Sequence, residues 1–307
     1  MKVKSKLDII NRILAVILVC VFVALILVVN LHRTESKIVE GADSGATEDA
    51  ITIDEFVAGT YGGKKFDTME DVVNYYVECY NYTKTLTANY VENGENKTYY
   101  KLVGDEDLKV ENLLVEGQSN SMIDSIVPGI VGGLFSGSVK GLPPSENRDP
   151  ALDVSADGAY NFTTSMLTID DVEACNVVDN GDGTISITIQ PKAVLLSSKG
   201  ADAQGRFFNT LGDISSTVES ISVLSFSSGT INDNFVVNYS GGSGVIKIDV
   251  ASGEIVEADY TMNVHIDVSH ANVSVLKDKS ASLDIVYKNH FPASDQYLLE
   301  SKNITRA

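Results

Sequence analysis

The chain has 307 residues with 23 basic and 42 acidic side chains, a formal net charge of −19 and no Trp. Acidity on this scale repels phosphate backbones and anionic headgroups and excludes nucleic-acid binding. Three cysteines in a chain of this length exclude a disulfide framework.

The acidity is unevenly placed. Removing Lys2, Lys4, Lys6, Arg12, Arg33 and Asp8 from the totals leaves 18 basic against 41 acidic residues, so the part beyond Arg33 is more negative than the whole. Ile13 to Val29 is an unbroken apolar run of 17 residues, the lower limit for a membrane span. Lys2, Lys4, Lys6 and Arg12 precede it, and the positive-inside bias puts the N-terminus in the cytoplasm. A cleaved signal peptide has a shorter apolar region of about 7 to 15 residues followed by a small-residue cleavage site, which Asn30 to Arg33 do not offer. Cys20 sits within the run as an apolar residue. The expected organisation is a cytoplasmic basic tail (1–12), a transmembrane anchor (13–31), a flexible stalk (32–60), an extracytoplasmic domain (61–300) and a tail (301–307).

Past the stalk, Thr68 followed by Asp71 has capping-box spacing, and Val72, Val73, Tyr76, Val77 and Tyr80 recur at helical intervals, predicting a helix over 68–82. Leu86–Val91 and Lys97–Val103 flank an Asn93-Gly94 pair, a hairpin signal, and Lys109–Val115 reads as a third strand continuing the meander. Ser119–Val139 carries one charge, Asp124, and paired apolar residues every four positions: Met122/Ile123, Ile126/Val127, Ile130/Val131 and Leu134/Phe135. This predicts an apolar helix with a kink at Pro128. Prolines at 143, 144 and 150 mark a subdomain boundary at 142–150.

Farther on, Thr168–Val172 predicts a helical turn, and Cys175–Val178 and Thr184–Gln190 predict a hairpin. The Asp179-Asn180-Gly181-Asp182-Gly183 loop between them fails the calcium-loop register and reads as a turn. A helix is expected over Phe207–Ile221. A glycine-punctuated meander follows: Asn234–Tyr239, Val245–Val250, a long strand and Ser282–Phe291. The long strand, Glu254 to Val268, is the clearest element. Val256, Ala258, Tyr260, Met262, Val264, Ile266 and Val268 alternate with Glu257, Asp259, Thr261, Asn263, His265 and Asp267. Strict period-two alternation with one wet face belongs to an antiparallel sheet. The fold expected is therefore α+β: a long, curved antiparallel β-meander packed with a few helices, preceded by a single N-terminal transmembrane helix.

Catalytic motifs are absent from the sequence. No Gly-x-Ser-x-Gly elbow occurs, Ser274-x-x-Lys277 lacks a following Lys-Thr-Gly, and there is no phosphate-binding glycine loop. His265, His270 and His290, with Glu257 and Asp259, are the residues from which a metal site or a carboxylate pair would be built. Cys79 and Cys175 are the cysteines outside the membrane run, and the sequence leaves open whether they form a disulfide. No cofactor is expected. The leading expectation is a non-enzymatic binding or structural module of the cell envelope, single-pass, with its C-terminal domain outside the cytoplasm. Short glycine turns and the short basic start favour a bacterial envelope, and the partners expected are the membrane, through the N-terminal helix, and an envelope protein or lipid-like molecule. An alternative is a carrier or sensor of a lipid-like ligand lined by Met122, Ile126, Ile130, Leu134, Tyr260, Met262 and Val264; a third is a metal-dependent hydrolase.

Overall fold

The computed structural model describes residues 53–118, 141–143, 164–210, 224–273, 276–292 and 303–307. The basic tail, the anchor, residues 32–52 of the stalk, the apolar helix over 119–139 and most of the proline boundary lie outside them. Among the described residues no helix is long and apolar enough to cross a membrane.

In chain order the elements are β1 (Gly59–Tyr61), β2 (Lys64–Phe66), α1 (Met69–Thr85), β3 (Thr87–Glu92), β4 (Glu95–Tyr100) and β5 (Asp105–Val115). A 3-10 turn (Ile169–Asp171) leads into β6 (Val172–Asp179), β7 (Thr184–Pro191), β8 (Val194–Leu195) and α2 (Ala203–Phe207). The last part holds β9 (Leu224–Phe226), α3 (Ile231–Asn234), β10 (Phe235–Tyr239), β11 (Ser243–Asp249), β12 (Glu254–Val273), β13 (Leu276–Phe291) and β14 (Ile304–Arg306). The protein is thus mostly antiparallel sheet with few helices, an α+β fold.

Local signals did what their chemistry dictates. Thr68 caps α1: its Oγ1 accepts from the Asp71 N–H at 3.2 Å, and the Asp71 carboxylate accepts from the Thr68 N–H at 2.9 Å. Val72, Val73, Tyr75, Tyr76, Cys79 and Tyr80 are buried, whereas Tyr82 points outward. Asn93 and Gly94 both take positive φ (55° and 82°), the two-residue turn that matches strand twist. That hairpin makes its own three-stranded sheet with β14, so residues 304–306 are a paired strand and not a loose tail.

The main sheet runs β5-β13-β12-β11-β7-β6. Two sequence expectations about pairing are corrected here. β5 does not extend the β3–β4 meander; it pairs with the outer edge of β13, Asp105 opposite His290 and Glu111 opposite Asp284. Nor do β10 and β11 form a hairpin about Gly241-Gly242. Both lie antiparallel along the same edge of β12, with Tyr239 opposite Val264 and Ser243 opposite Thr261, and β9 continues the line at 271–273. The two glycines, at φ 66° and 71°, let the chain jog by one residue and resume its course. A Cβ on Gly242 would come within 2.5 Å of the Thr261 carbonyl, so only glycine fits between the two backbones. At about 3.3 Å per residue, the 20 residues of β12 span roughly 66 Å, long enough for three shorter strands to share one edge.

The predicted helix over 207–221 is also corrected at its start: Phe207 ends the short helix α2, Phe208 is extended, and residues 211–223 are not described. Phe207 is core nonetheless. Its ring lies 5.8 Å from Tyr76 and 5.3 Å from Tyr260, and Tyr260 lies 6.3 Å from Phe291, joining α1, α2, β12 and β13 in one aromatic layer. Each such buried ring contributes about 1.5–3 kcal/mol from removal of apolar surface. Tyr76 and Tyr260 satisfy their hydroxyls on each other at 3.2 Å. Gly244 makes room for this layer, since a Cβ there would stand 2.6 Å from the Phe207 ring.

The alternation of β12 holds from Ala258 through Ile266, all buried at even positions. At its start the phase breaks. Lys247 pairs with Glu257 but Ile248 pairs with Ile255, so Val256 is an extra, bulged residue and Ile255 takes the core position. The Ile255 N–H donates to Thr83 Oγ1 at 2.8 Å, fixing the end of α1 to the bulge. Ile255→Ala is expected to cost about 2–5 kcal/mol as a core truncation and Val256→Ala under about 1 kcal/mol. Equilibrium urea unfolding of the two variants checks this, and the reverse order would place the bulge elsewhere.

Candidate functional site

Because side chains alternate along a strand, residues opposite one another in register share a face. The outer face of β5, β13 and β12 can therefore be read in rows. Asp105, His290 and Asp259 form one row, Asp107, Lys288 and Thr261 the next, Lys109, Val286 and Asn263 a third, and Glu111, Asp284 and His265 a fourth. Asn238 of β10 extends the fourth row. Asp107, Lys109, Glu111, Glu257, Asp259 and Asp267 are exposed, and carboxylates outnumber the ammonium groups of Lys109 and Lys288.

All three histidines of this region lie on β12 and β13 and each meets an Asp. His265 Nδ1 stands 2.5 Å from Asp284 on the neighbouring strand, and its Nε2 stands 3.1 Å from Asp267 on its own. Partial burial alone would lower the His265 pKa, but the hydrogen bond to Asp284 and the charges of Asp267 and Asp284 outweigh it and raise it above the usual value. His290 Nδ1 meets Asp259 at 2.7 Å, and His270 Nδ1 meets Asp278 at 2.6 Å. His270 has a left-handed backbone (φ 51°) at the irregularity between Val268 and Ala271, and its carbonyl accepts from the Ser227 N–H at 2.7 Å.

Ser227 Oγ lies 3.0 Å from Asp278 Oδ1, which brings Ser, Asp and His together. The order is wrong for nucleophile activation. A serine hydrolase needs imidazole between hydroxyl and carboxylate so that the ring takes the hydroxyl proton. Here the carboxylate sits in the middle and accepts from both sides, which clasps β9 to the β12–β13 hairpin.

Tyr260, Met262 and Val264 are 1–2 % exposed and belong to the core cluster on the inner face; Met122, Ile126, Ile130 and Leu134 lie outside the described residues. Cys79 and Cys175 are both buried free thiols. Cys175 Sγ lies 3.9 Å from the Met69 carbonyl at the start of α1. Cys79 is ten residues along that helix, about 15 Å away at 1.5 Å per residue, so the two are not paired. Burial pushes both thiols up to about 11, which leaves them protonated and unreactive at neutral pH.

The 179–183 loop is a turn whose carboxylates are occupied. Asp179 accepts from the Gly62 and Gly181 N–H groups at 2.7 and 2.8 Å. Asp182 accepts from the Thr184 hydroxyl and N–H and approaches Lys247 at 3.3 Å, bonds that lower its pKa to about 2.

Among the described residues, one group on the outer face could hold a cation. Glu257, Asp259 and His290 each offer a ligand atom, and these atoms all lie within 4.8 Å of one another. His265 and His270 do not join it. Comparison with protein-family models, curated proteins and solved structures gives no match.

A raised histidine pKa stabilises the fold below the unfolded value of about 6.5, and that contribution is lost as pH rises through the folded value. His265 is therefore expected to titrate above 6.5 by NMR, with Asp284→Asn and Asp267→Asn each moving it down. A wild-type value at or below 6.5 would contradict the pairing.

Proposed function

We propose that this protein is a membrane-anchored, extracytoplasmic, non-enzymatic binding module of the cell envelope that meets its partner with the outer face of the sheet. In this reading residues 13–31 form a single-pass helix with residues 1–12 in the cytoplasm, and the following residues space the sheet domain from the membrane. The observation that carries it is the inequality of the two sheet faces. The inner face is taken up by α1, α2 and the aromatic layer, while the outer face sets exposed carboxylates in cross-strand rows.

A broad acidic face favours encounter with a cationic surface and disfavours phosphate and anionic lipid, so the partner fitting it is an envelope protein presenting lysines and arginines. The bulges at Val256 and near His270 add local twist to β12 and support a curved sheet presenting that face.

Photo-crosslinking in intact cells of the native host tests both halves of the proposal. A photoreactive residue at position 107 or 267 is expected to give a discrete protein adduct that weakens as salt is raised, whereas the exposed positions Val57 and Met166 give none. Protease added outside is expected to remove the sheet domain and spare an N-terminal tag. Equal adducts at all four positions, or an outside-accessible N-terminal tag, would overturn the reading.

A further inference from the structure

We infer that Glu257, Asp259 and His290 form a binding site for one divalent transition-metal ion of the zinc type. Ligands held at about 2.0–2.2 Å from one tetrahedral ion lie about 3.3–3.6 Å apart, and the three ligand atoms here lie within 4.8 Å of one another. Side-chain movements of up to about 1.5 Å bring the set to that spacing. One imidazole and two carboxylates are a mixed nitrogen and oxygen donor set, which suits zinc and its neighbours; calcium and magnesium seek oxygen throughout.

The backbone beneath the site is fixed. Asp259 and His290 are register partners on adjacent strands, and Glu257 lies two residues before Asp259 on the same face. Ala258 and Phe291, also register partners, are fully buried directly beneath and hold the two strands in place. The bulge at Val256 immediately precedes Glu257, a position where bulges re-aim side chains.

The other two histidines show what distinguishes this one. His265 has carboxylates on both ring nitrogens, at opposite sides of the ring, so no two of its acids and its ring converge on one point. His270 meets an Asp278 that already accepts from Ser227. At His290 the second carboxylate, Glu257, closes on the same point and makes no hydrogen bond or ion pair among the described residues. Lys247, its register partner on β11, is drawn instead to Asp182. A neutral imidazole beside two carboxylates carries two negative charges, which a divalent ion neutralises. Asp105, across His290 on β5, puts a further carboxylate position in the same row.

The inference stands apart from the docking proposal: the titration needs no partner, and failed crosslinking in cells leaves its outcome unchanged. The full chain, purified in detergent and stripped with chelator, is titrated calorimetrically with Zn²⁺, and with Ca²⁺ and Mg²⁺ for comparison. One equivalent of Zn²⁺ is expected, with little response to Ca²⁺ or Mg²⁺. His290→Gln, Asp259→Asn and Glu257→Gln are each expected to weaken binding about 10-fold or more, while His270→Gln leaves it unchanged. Circular dichroism checks that the variants fold, and all three replace a surface side chain with one of similar size. Absence of saturable Zn²⁺ binding, binding indifferent to all three substitutions, or equal affinity for Ca²⁺ would overturn the assignment.

Discussion

The pairing of β12 along both edges, with one face buried, is the constraint on which the rest of the structure depends. β13 runs along one edge and β11, β10 and β9 share the other, so four strands take their register from this one. A slip of one residue would turn Ala258, Tyr260, Met262, Val264 and Ile266 to solvent and send Asp259, Thr261, Asn263 and His265 into the aromatic layer. Five apolar side chains turned out and four polar ones turned in is a large penalty on each alternative register. The sheet can therefore absorb bulges at Val256 and near His270 without losing its alignment between them.

The same physics decides what could be read from the residues. Capping by Thr68 and Asp71, the Asn93-Gly94 turn and the alternation of β12 act within a few residues, and each was legible. Strand partners are non-local. Nothing near Asp105–Val115 says that its neighbour is β13 and not β4, and Gly241-Gly242 carries the same glycine signal whether the chain reverses or jogs. The bulge was half visible: Ile255 breaks the odd-even rule that the next thirteen residues obey, and an apolar residue out of phase at a strand start is a bulge signal. The metal-ligating group was legible only in pieces. Glu257 and Asp259 stand on one strand face, but His290 joins them only through register. The antiparallel register of β12 and β13 puts 259 opposite 290 and 265 opposite 284, and that step was available once the two strands were taken as neighbours.

The outer face carries more like-charge proximity than stability alone would select. Glu111 stands opposite Asp284, and Glu257 and Asp259 lie two residues apart on one face. Like charges directly opposite in a sheet cost a few tenths of a kcal/mol to about 1 kcal/mol. The sheet offsets part of this locally: Asp284 receives His265 Nδ1 and the Asn112 amide at 2.7 Å, and Asp259 receives His290. Glu257 is left outside these arrangements. Departures from local consistency concentrate where a surface has work to do, and the departure here is the carboxylate that completes the cation-sized group.

The two faces of β12 are not independent. The aromatic layer fixes where Ala258 and Phe291 sit, and since these are register partners on β12 and β13, it also fixes the separation of Asp259 and His290 on the other side of the same backbone. Tyr260, an obvious candidate for lining an apolar site, is engaged with Tyr76, Phe207, Phe208 and Phe291. Its contribution to function is then indirect: it holds β12 flat against the core so that the outward residues keep their spacing. A loss of packing at Phe291 would loosen the ligand geometry without touching any ligand, because one peptide bond separates it from His290. Core and site are in this sense alternate residues of the same two strands.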